Sequence, residues 1–387
     1  MCAIFAQGAT VKVPLKSGWR FVKADDPSAG TNLTLQAMSG ILDRAEKCGG
    51  GMGSSRPTDG GRLGPTITNW ELRSAKHLAG KKAAMYIDDV IWVFRDLARQ
   101  RPKSMFDNPL LSVLKEAHER YGLKLQLNCF YRTDMFYGMD EFSLADMTNA
   151  YKAEWQAAKG WLKLGFHAYQ EFPDYPFVNS SYGDIATAFD RMRGEVRRFA
   201  GEDVFTYALL GHWLPFSKDG CRALKDRGVK LIACTDGDRY AYTGDRSSLP
   251  YGHAFRVESN RKPETALFRR TAYDAALLSS VCGYNHLVPE QAEKTWGMFA
   301  HVFDRDLGVG FKRYRSGPML NLCTPEKVRE EMDAAQKYDL LAFADHEQYF
   351  YRDYYAYQPD YAEKILLAAR LANASGREFI FIEDTVQ

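Results

Sequence analysis

The stretch Ala83-Ala84-Met85-Tyr86-Ile87-Asp88-Asp89-Val90 decides the fold, because it is an apolar run that ends in two adjacent carboxylates. A short apolar run of this kind predicts a buried strand. In a barrel of parallel strands the carboxyl ends line one mouth, and functional side chains gather there. Asp88 and Asp89 are therefore candidate functional residues. Acidic pairs also cap helices and bind solvent, so this pair gains weight only from the pattern of the downstream residues.

The same pattern recurs downstream, where an apolar run ends in polar or histidine residues and an amphipathic helical stretch comes next. The runs span residues 123–130, 161–166, 205–210, 229–234 and 340–344. Helix signals lie between them, such as Asn108-Pro109 ahead of residues 110–121 and Gly122 behind them. Strands that alternate with helices predict parallel βαβ units. We therefore expect an α/β fold and favour a (β/α) barrel.

The strand ends resemble the motifs of the polysaccharide deacetylase (NodB-homology) family, whose domain is a distorted (β/α) barrel with a metal at its C-terminal face. Residues 86–90 keep both acids of the family's T-F-D-D-G motif. Residues 167–171 are similar to H-S-x-x-H, with Glu171 in place of the second histidine. Residues 212–228 resemble the third motif without its arginine. The strand that ends at His346 and the helix and strand after it resemble the family's closing elements, so the resemblance covers about residues 81–384.

This resemblance implies a set of roles at the barrel mouth. Asp89, His167 and Glu171 would hold a divalent transition metal, which is zinc in most of the family. Two carboxylates and one imidazole form a harder ligand set, which favours iron, manganese or cobalt without excluding zinc. Asp88 would be the general base, and His346 would protonate the leaving group. A lone histidine is often a buried residue bonded to the backbone, and Asp345-His346-Glu347 also fits a solvated loop.

Five further residues are candidates for substrate contact. They are His212, Trp213, Arg132, Asp236 and Tyr349. Tyr349 begins a tyrosine-rich run to Tyr357, and such rings suit the faces and hydroxyl groups of a carbohydrate. The same tyrosines are equally suited to packing a loop against the next helix. Asp236 also fits a turn around Gly237.

The sequence therefore predicts a metal-dependent hydrolase that removes an acetyl or similar acyl group from a carbohydrate or a related amide. A glycoside hydrolase with paired carboxylates is the first alternative, and Asp88 or Glu171 would then act as the acid. A non-catalytic carbohydrate-binding relative is the second. The metal content and the separation of the carboxyl groups distinguish these three functions.

Composition bounds the remaining properties. A chain of 387 residues with 45% hydrophobic content can form one large domain with additions. A net charge of +2 without a basic stripe argues against nucleic-acid binding. Seven cysteines without C-x-x-C spacing indicate reduced thiols. The start lacks a signal-peptide pattern and no run could span a membrane, so a cytoplasmic protein is expected. A homo-oligomer is left open.

Three segments are expected along the chain. Residues 1–80 would form a small β-rich appendage, and residues 81–387 the barrel. An insertion at about 240–338 would rise above the C-terminal face and wall the site. The glycine-rich residues 49–53 lack the spacing of a phosphate-binding loop.

Overall fold

The computed structural model describes residues 2–6, 9–13, 67–133, 141–171, 176–177, 180–214, 216–234, 287, 289–354 and 356–386. The chain divides into two compact units, of which one contains residues 1–63 and 239–282 and the other residues 64–238 and 283–387.

The strands, in chain order, are β1 (Cys2–Ala6), β2 (Ala9–Val13), β3 (Trp70–Ser74), β4 (Lys82–Val90), β5 (Leu125–Phe130), β6 (Leu162–Ala168), β7 (Ala208–Leu209), β8 (Leu231–Ala233), β9 (Ala300–Asp304), β10 (Val309–Lys312), β11 (Leu340–His346) and β12 (Glu378–Phe379). The helices are α1 (Trp92–Gln100), α2 (Pro109–Tyr121), α3 (Lys152–Ala158), α4 (Tyr182–Phe199), α5 (Lys218–Asp226), α6 (Pro289–Thr295), α7 (Pro325–Ala334) and α8 (Tyr361–Ala374).

In the first unit, β1 and β2 form an antiparallel pair. The second unit contains two sheets. One has the parallel order β11-β4-β5-β6, and β12 also pairs with β4. All of β5 and nearly all of β4 and β11 are buried, as is usual for parallel strands covered on both faces. This burial explains why their sequences are continuous apolar runs.

The other sheet has the order β3-β9-β10-β8-β7. Strands β7, β8 and β10 are parallel, whereas β9 and β3 are antiparallel additions at one edge. Two isolated parallel bridges lie outside the named ladders, between Leu164 and Phe205 and between Met319 and Ala344. The predicted α/β class with parallel strands is confirmed.

Local signals fix the helix ends. The Asn108 side chain accepts hydrogen bonds from the backbone N–H groups of Leu110 and Leu111, and α2 ends at Gly122, whose φ is 73°. The Ser181 side chain caps α4 in the same way, and the Asp184 carboxylate accepts a hydrogen bond from the Ser181 backbone N–H. Helix α2 begins and ends within one residue of its predicted bounds.

One predicted helix is shorter than its pattern suggested. The sequence indicated a helical stretch over residues 289–303, but α6 ends at Thr295 and residues 300–304 form β9. Gly297 turns the chain at a φ of 69°, and a Cβ at this position would lie 2.3 Å from the Tyr338 ring. Strand β9 pairs on both sides, with β3 and β10, so sheet pairing prevails over the helical pattern.

The expected insertion also differs from the observed division. Within residues 240–338, those from 283 onward belong to the second unit. The reason is backbone pairing, since β10 lies in parallel register with β8 and Met319 bridges to Ala344 of β11. Likewise β3, which falls inside the expected appendage, pairs with β9.

Two further expectations concern cysteines and membranes. Cys129, Cys221, Cys234 and Cys323 are buried and none of these four forms a disulfide. Among the described residues, every helix is too short or too polar to cross a lipid bilayer.

Candidate active site

Polar side chains meet at the carboxyl ends of β4, β5, β6 and β11, as the sequence predicted. The pairing of β4 with β5 shifts register between Ile87 and Val90, and Asp89 has a left-handed φ of 63°. In a regular strand, adjacent side chains point to opposite faces. At this irregular strand end, the charges of Asp88 and Asp89 both act on His167 and His346.

Three buried ligand atoms form the centre of the site. Asp89 Oδ1 lies 3.1 Å from His167 Nε2 and 3.3 Å from His212 Nδ1. The two imidazole nitrogens are 3.2 Å apart. Among the described residues, these three side chains form the group with the spacing that could hold a metal ion.

Backbone carbonyls determine which nitrogen of each imidazole carries hydrogen. His167 Nδ1 lies 2.7 Å from Leu210 O, and His212 Nε2 lies 2.9 Å from Glu171 O. A carbonyl oxygen only accepts, so both of these nitrogens are donors. His167 Nε2 and His212 Nδ1 therefore face each other across 3.2 Å, and in the neutral rings both carry lone pairs. Because two lone pairs at this distance repel, either a cation binds beside them or a protonated imidazole donates to Asp89 Oδ1.

The electrostatics of the cluster fit a bound cation. Burial would raise the pKa of Asp89, but hydrogen bonds from His167 and His212 and the nearby imidazole charges hold that pKa well below its usual value. Burial would lower the pKa of His167, but the charges of Asp88 and Asp89 outweigh it and raise that pKa. Asp89 is thus ionised, and without a metal an extra proton on the imidazoles balances its charge.

The remaining groups surround this cluster. Asp89 Oδ2 accepts a 2.8 Å hydrogen bond from Gln348 and lies 3.9 Å from His346 Nε2. His346 Nδ1 lies 3.1 Å from Asn321 Oδ1, and Nε2 is the nitrogen on the side of Asp89. Burial lowers the pKa of His346, against the opposing charges of Asp89 and Asp88.

Asp88 is held from the neighbouring strand. Asn128 Nδ2 of β5 donates a 2.6 Å hydrogen bond to Asp88 Oδ1, and Gln126 in turn donates to Asn128 Oδ1 at 2.8 Å. Burial raises the pKa of Asp88, in part against the nearby His167 and His346 charges. Such a carboxyl group is a better proton acceptor than one in water.

Aromatic rings and a strained loop enclose the imidazoles. The Phe130 ring lies 5.3 Å from the His167 ring and 5.1 Å from the His212 ring. Trp213 and Leu214, directly after His212, have left-handed φ values of 61° and 76°. Residues with side chains adopt this conformation only when their surroundings enforce it, and such strain is typical of functional sites.

The structure distributes the predicted residues differently from the family pattern. Asp88, Asp89, His167 and His346 come together. His212, expected as a substrate contact, lies in the ligand cluster. Glu171, expected as a metal ligand, is buried and contributes its backbone oxygen to His212, while its carboxylate lies outside the cluster.

The predicted substrate contacts also differ from one another. Trp213 packs its ring 5.9 Å from that of His212. Tyr349 is only 1% exposed, and its ring packs against those of His346 and Tyr354. It therefore packs behind His346 and is not exposed at the surface of the site. Arg132 lies at the rim, after β5. Asp236 lies outside the described residues.

Sequence reasoning missed Asn128, Gln348 and Asn321. A signal for the first was present, because Gln126 and Asn128 are polar at alternate positions of the otherwise apolar strand β5. Alternation places both side chains on one face, and buried polar groups on one face of a strand need partners there.

The comparisons with known proteins add little to this geometry. No family model matches the chain, and no curated protein matches it. Among solved structures, it is similar to a 4-alpha-glucanotransferase from Thermococcus litoralis with a TM-score of 0.43 and 9% identity, over 78% of this chain and 39% of that chain. The chain thus spans about two fifths of that protein's length. A likeness this weak carries no conclusion about fold or activity.

Gly165→Ala is expected to lower the free energy of unfolding by about 1–3 kcal/mol. An added Cβ would lie 3.0 Å from both Asn128 Oδ1 and Thr206 Cγ2. The Asn128 side chain, which donates a hydrogen bond to Asp88, would therefore have to move. Urea denaturation measures the effect. Gly160→Ala is the matched control, because a Cβ at Gly160 meets nothing within 4 Å. Equal stability of the two variants would contradict the packing described for β5 and β6.

Asp345→Asn is expected to remove a pH dependence of stability. Burial raises the pKa of Asp345 to about 8, so the folded protein holds a proton that the unfolded chain loses above its usual pKa of 3.8. Stability of the wild type should fall as pH rises from 4 to 8, by at most about 1.4 kcal/mol per pH unit. The amide does not titrate, so the variant should be the more stable protein at pH 8. Urea denaturation of the wild type and the variant between pH 4 and 8, with a chelator present, tests this, and exposed Asp339→Asn is the control. The prediction would be contradicted if the free energies of unfolding of the wild type and Asp345→Asn changed with pH in the same way.

Proposed function

We propose that this protein is a metal-dependent hydrolase that removes an acyl group from an amide or ester, with a carbohydrate or related small amide as substrate. The observation that carries the proposal is the pair of bare imidazole nitrogens, 3.2 Å apart, that share Asp89 Oδ1. Two backbone carbonyls accept from the other nitrogen of each ring, so in the neutral tautomers both lone pairs point to the space beside Asp89, where a cation could bind.

The donor set fits a divalent transition metal. Two imidazoles and one carboxylate are the ligands of catalytic zinc sites and also suit iron or cobalt. Three protein ligands leave coordination positions open. When bound, such an ion polarises a substrate carbonyl and makes a nearby water more acidic. In this proposal His212 takes the third ligand position that the family resemblance gave to Glu171.

The chain's own groups supply the proton transfers. Water attacks the acyl carbon while Asp88, oriented by Asn128, accepts a proton from the water. The bond from the acyl carbon to nitrogen or oxygen then breaks, and the leaving atom needs one proton. His346 turns Nε2 toward Asp89 and burial lowers its pKa, so it can carry the proton from Asp88 to the leaving atom. The balance is one water consumed and one acid and one amine or alcohol formed.

A carbohydrate substrate and a distorted (β/α) barrel belong to the same proposal. The bridge Leu164–Phe205 joins β6 to the segment just before β7, and the bridge Met319–Ala344 joins β11 to the segment after β10, which supports a barrel wall. The site then lies at the carboxyl ends of the strands, where barrel enzymes bind their substrates. Buried aromatic residues around the imidazoles suit a sugar ring held in a dry pocket.

The proposal is tested with the purified protein loaded with zinc, iron, manganese or cobalt. Acetate release is measured from N-acetylated and O-acetylated oligosaccharides and from small acetamides. We expect release that depends on metal and is lost in Asp88→Asn, while this variant still binds metal. If acetate release is absent with every metal and reducing ends appear from glycosides instead, the protein is a glycoside hydrolase.

A further inference from the structure

Four residues at the rim of the site form a compact surface, and we name Tyr131, Arg132, Tyr169 and Arg191 the tyrosine–arginine rim. Tyr131 and Arg132 directly follow β5, and Tyr169 directly follows β6. The Tyr131 N–H donates to Ala168 O and Tyr169 O, both at 3.1 Å, and the Arg132 N–H donates to Tyr169 O at 2.9 Å. The rim is therefore a continuation of two adjacent strands beyond their buried ends.

The rim adjoins the imidazole cluster through the chain itself. Phe130, the residue before Tyr131, contacts both imidazole rings. His167 is separated from Tyr169 by a single residue. The rim therefore begins one residue beyond Phe130 and two residues beyond His167.

Ring packing holds the two guanidinium groups in place. The Tyr131 and Tyr169 rings are stacked, with centroids 5.3 Å apart and an angle of 15°. The Arg132 guanidinium lies 5.7 Å from the Tyr169 ring, and that of Arg191 lies 5.5 Å from Tyr131 and 5.9 Å from Tyr169. Cation–π contact orients a guanidinium without using its N–H donors.

Acidic partners compensate these charges only weakly. Arg132 lies 3.8 Å from Glu141, whose side chain is 72% exposed, and such exposed pairs add little. In the described part of the chain, no carboxylate lies within ion-pair distance of Arg191. Glu195, one turn further along α4, pairs instead with Arg198 at 2.7 Å. Two positive charges therefore stand beside the site, with N–H donors available to a ligand.

We propose that the tyrosine–arginine rim binds a carboxylate of the substrate, so that the preferred substrate is an acidic carbohydrate with a uronic acid next to the acylated sugar. This inference rests on the proposed function for its site, and it adds the charge of the substrate. The planar guanidinium of arginine can donate two parallel hydrogen bonds to the two oxygens of a carboxylate, and the rim has two such groups.

The test compares two N-acetylated probes by calorimetry at low salt. One is a hyaluronan hexasaccharide, which carries a carboxylate on alternate sugars, and the other is the neutral chitin hexasaccharide. We expect the wild type to bind hyaluronan about tenfold more tightly than chitin, because a hydrogen bond to a charged group contributes this much. Added salt should reduce the difference.

Variants assign the preference to the rim. Arg132→Gln and Arg191→Gln should each weaken hyaluronan binding by about threefold, so that together they account for the tenfold preference, and should leave chitin binding unchanged. Arg132→Lys and Arg191→Lys should restore part of the affinity. The matched control is Arg120→Gln, because the Arg120 guanidinium also lies over a tyrosine ring, 5.0 Å from Tyr121, but precedes β5 instead of following it.

The outcomes separate this inference from the proposed function. In the wild type treated with a chelator, hyaluronan should still bind more tightly than chitin although hydrolysis is lost. If binding depends on charge but no hydrolysis is detected, the carboxylate-binding role of the rim is supported and the hydrolase proposal is contradicted. If chitin is hydrolysed and both probes bind equally, the carboxylate-binding role is contradicted and the hydrolase proposal stands. The same conclusion follows if chitin is hydrolysed and the folded glutamine variants bind hyaluronan as the wild type does. Failure of the wild type to bind hyaluronan would also overturn it.

Discussion

His212→Ala is expected to abolish metal binding, whereas Glu171→Gln should retain it. The His212 nitrogen faces the shared space beside Asp89, while Glu171 contacts the cluster through its backbone oxygen. Loss of a ligand should weaken metal binding and hydrolysis by more than the about 10–100-fold that outer partners contribute. Plasma mass spectrometry after incubation with zinc and desalting measures the bound ion.

The control for this experiment is His118→Ala. His118 lies in α2, and its Nδ1 is 2.8 Å from the backbone oxygen of Leu123. Its ring stacks on that of Trp161, away from the imidazole cluster. It should retain the metal of the wild type. Metal loss in Glu171→Gln together with full metal in His212→Ala would instead support the ligand set implied by the family resemblance. Absence of metal from the wild type would remove the proposed mechanism altogether.

Glu347→Ala is expected to lower the free energy of unfolding by about 3–5 kcal/mol. The Glu347 carboxylate accepts from the backbone N–H groups of Ile91, Trp92 and Val93 at 2.6, 2.8 and 2.8 Å. Helix α1 has no side-chain cap of its own, so this carboxylate satisfies its first turn from the end of β11. Alanine would leave three buried donors without an acceptor. Urea denaturation measures the loss.

Two variants complete this comparison. Glu347→Gln keeps one acceptor oxygen, so it should cost less than alanine. Glu363→Ala removes an exposed carboxylate from the first turn of α8, and its effect should stay within about 0.5 kcal/mol. If Glu347→Ala were as stable as Glu363→Ala, the three hydrogen bonds to α1 would not stabilise the fold.

The strands of the buried parallel sheet were predictable, because a strand covered on both faces must be apolar throughout. Thus β4 and β11 lie within three residues of the apolar runs that indicated them. Strand β9 was not predictable in the same way. Its apolar residues follow directly on the helical pattern of α6, and short apolar runs do not distinguish a strand from a helix.

The candidate site was predictable where the chain itself fixes position. Asp88, Asp89, His167 and His346 all end or adjoin strands, and parallel strands bring their ends together. The place of His212 beside Asp89 could not be predicted, because it depends on a loop with two left-handed residues. The ligand role of Glu171 stays a prediction, and since residues 169–171 form a bend and not a helix, the spacing of four residues does not by itself place its carboxylate beside His167.

The left-handed conformations of Asp89, Trp213 and Leu214 have a consequence for how this protein can evolve. Each costs on the order of 1–3 kcal/mol, yet together they hold the ligand atoms in position before anything binds. Substitutions that relieve the strain would raise the melting temperature and loosen the pocket. In the proposed hydrolase, selection for heat resistance and selection for turnover would therefore act in opposite directions at these three positions. A thermostable variant obtained without an activity screen should carry changes there.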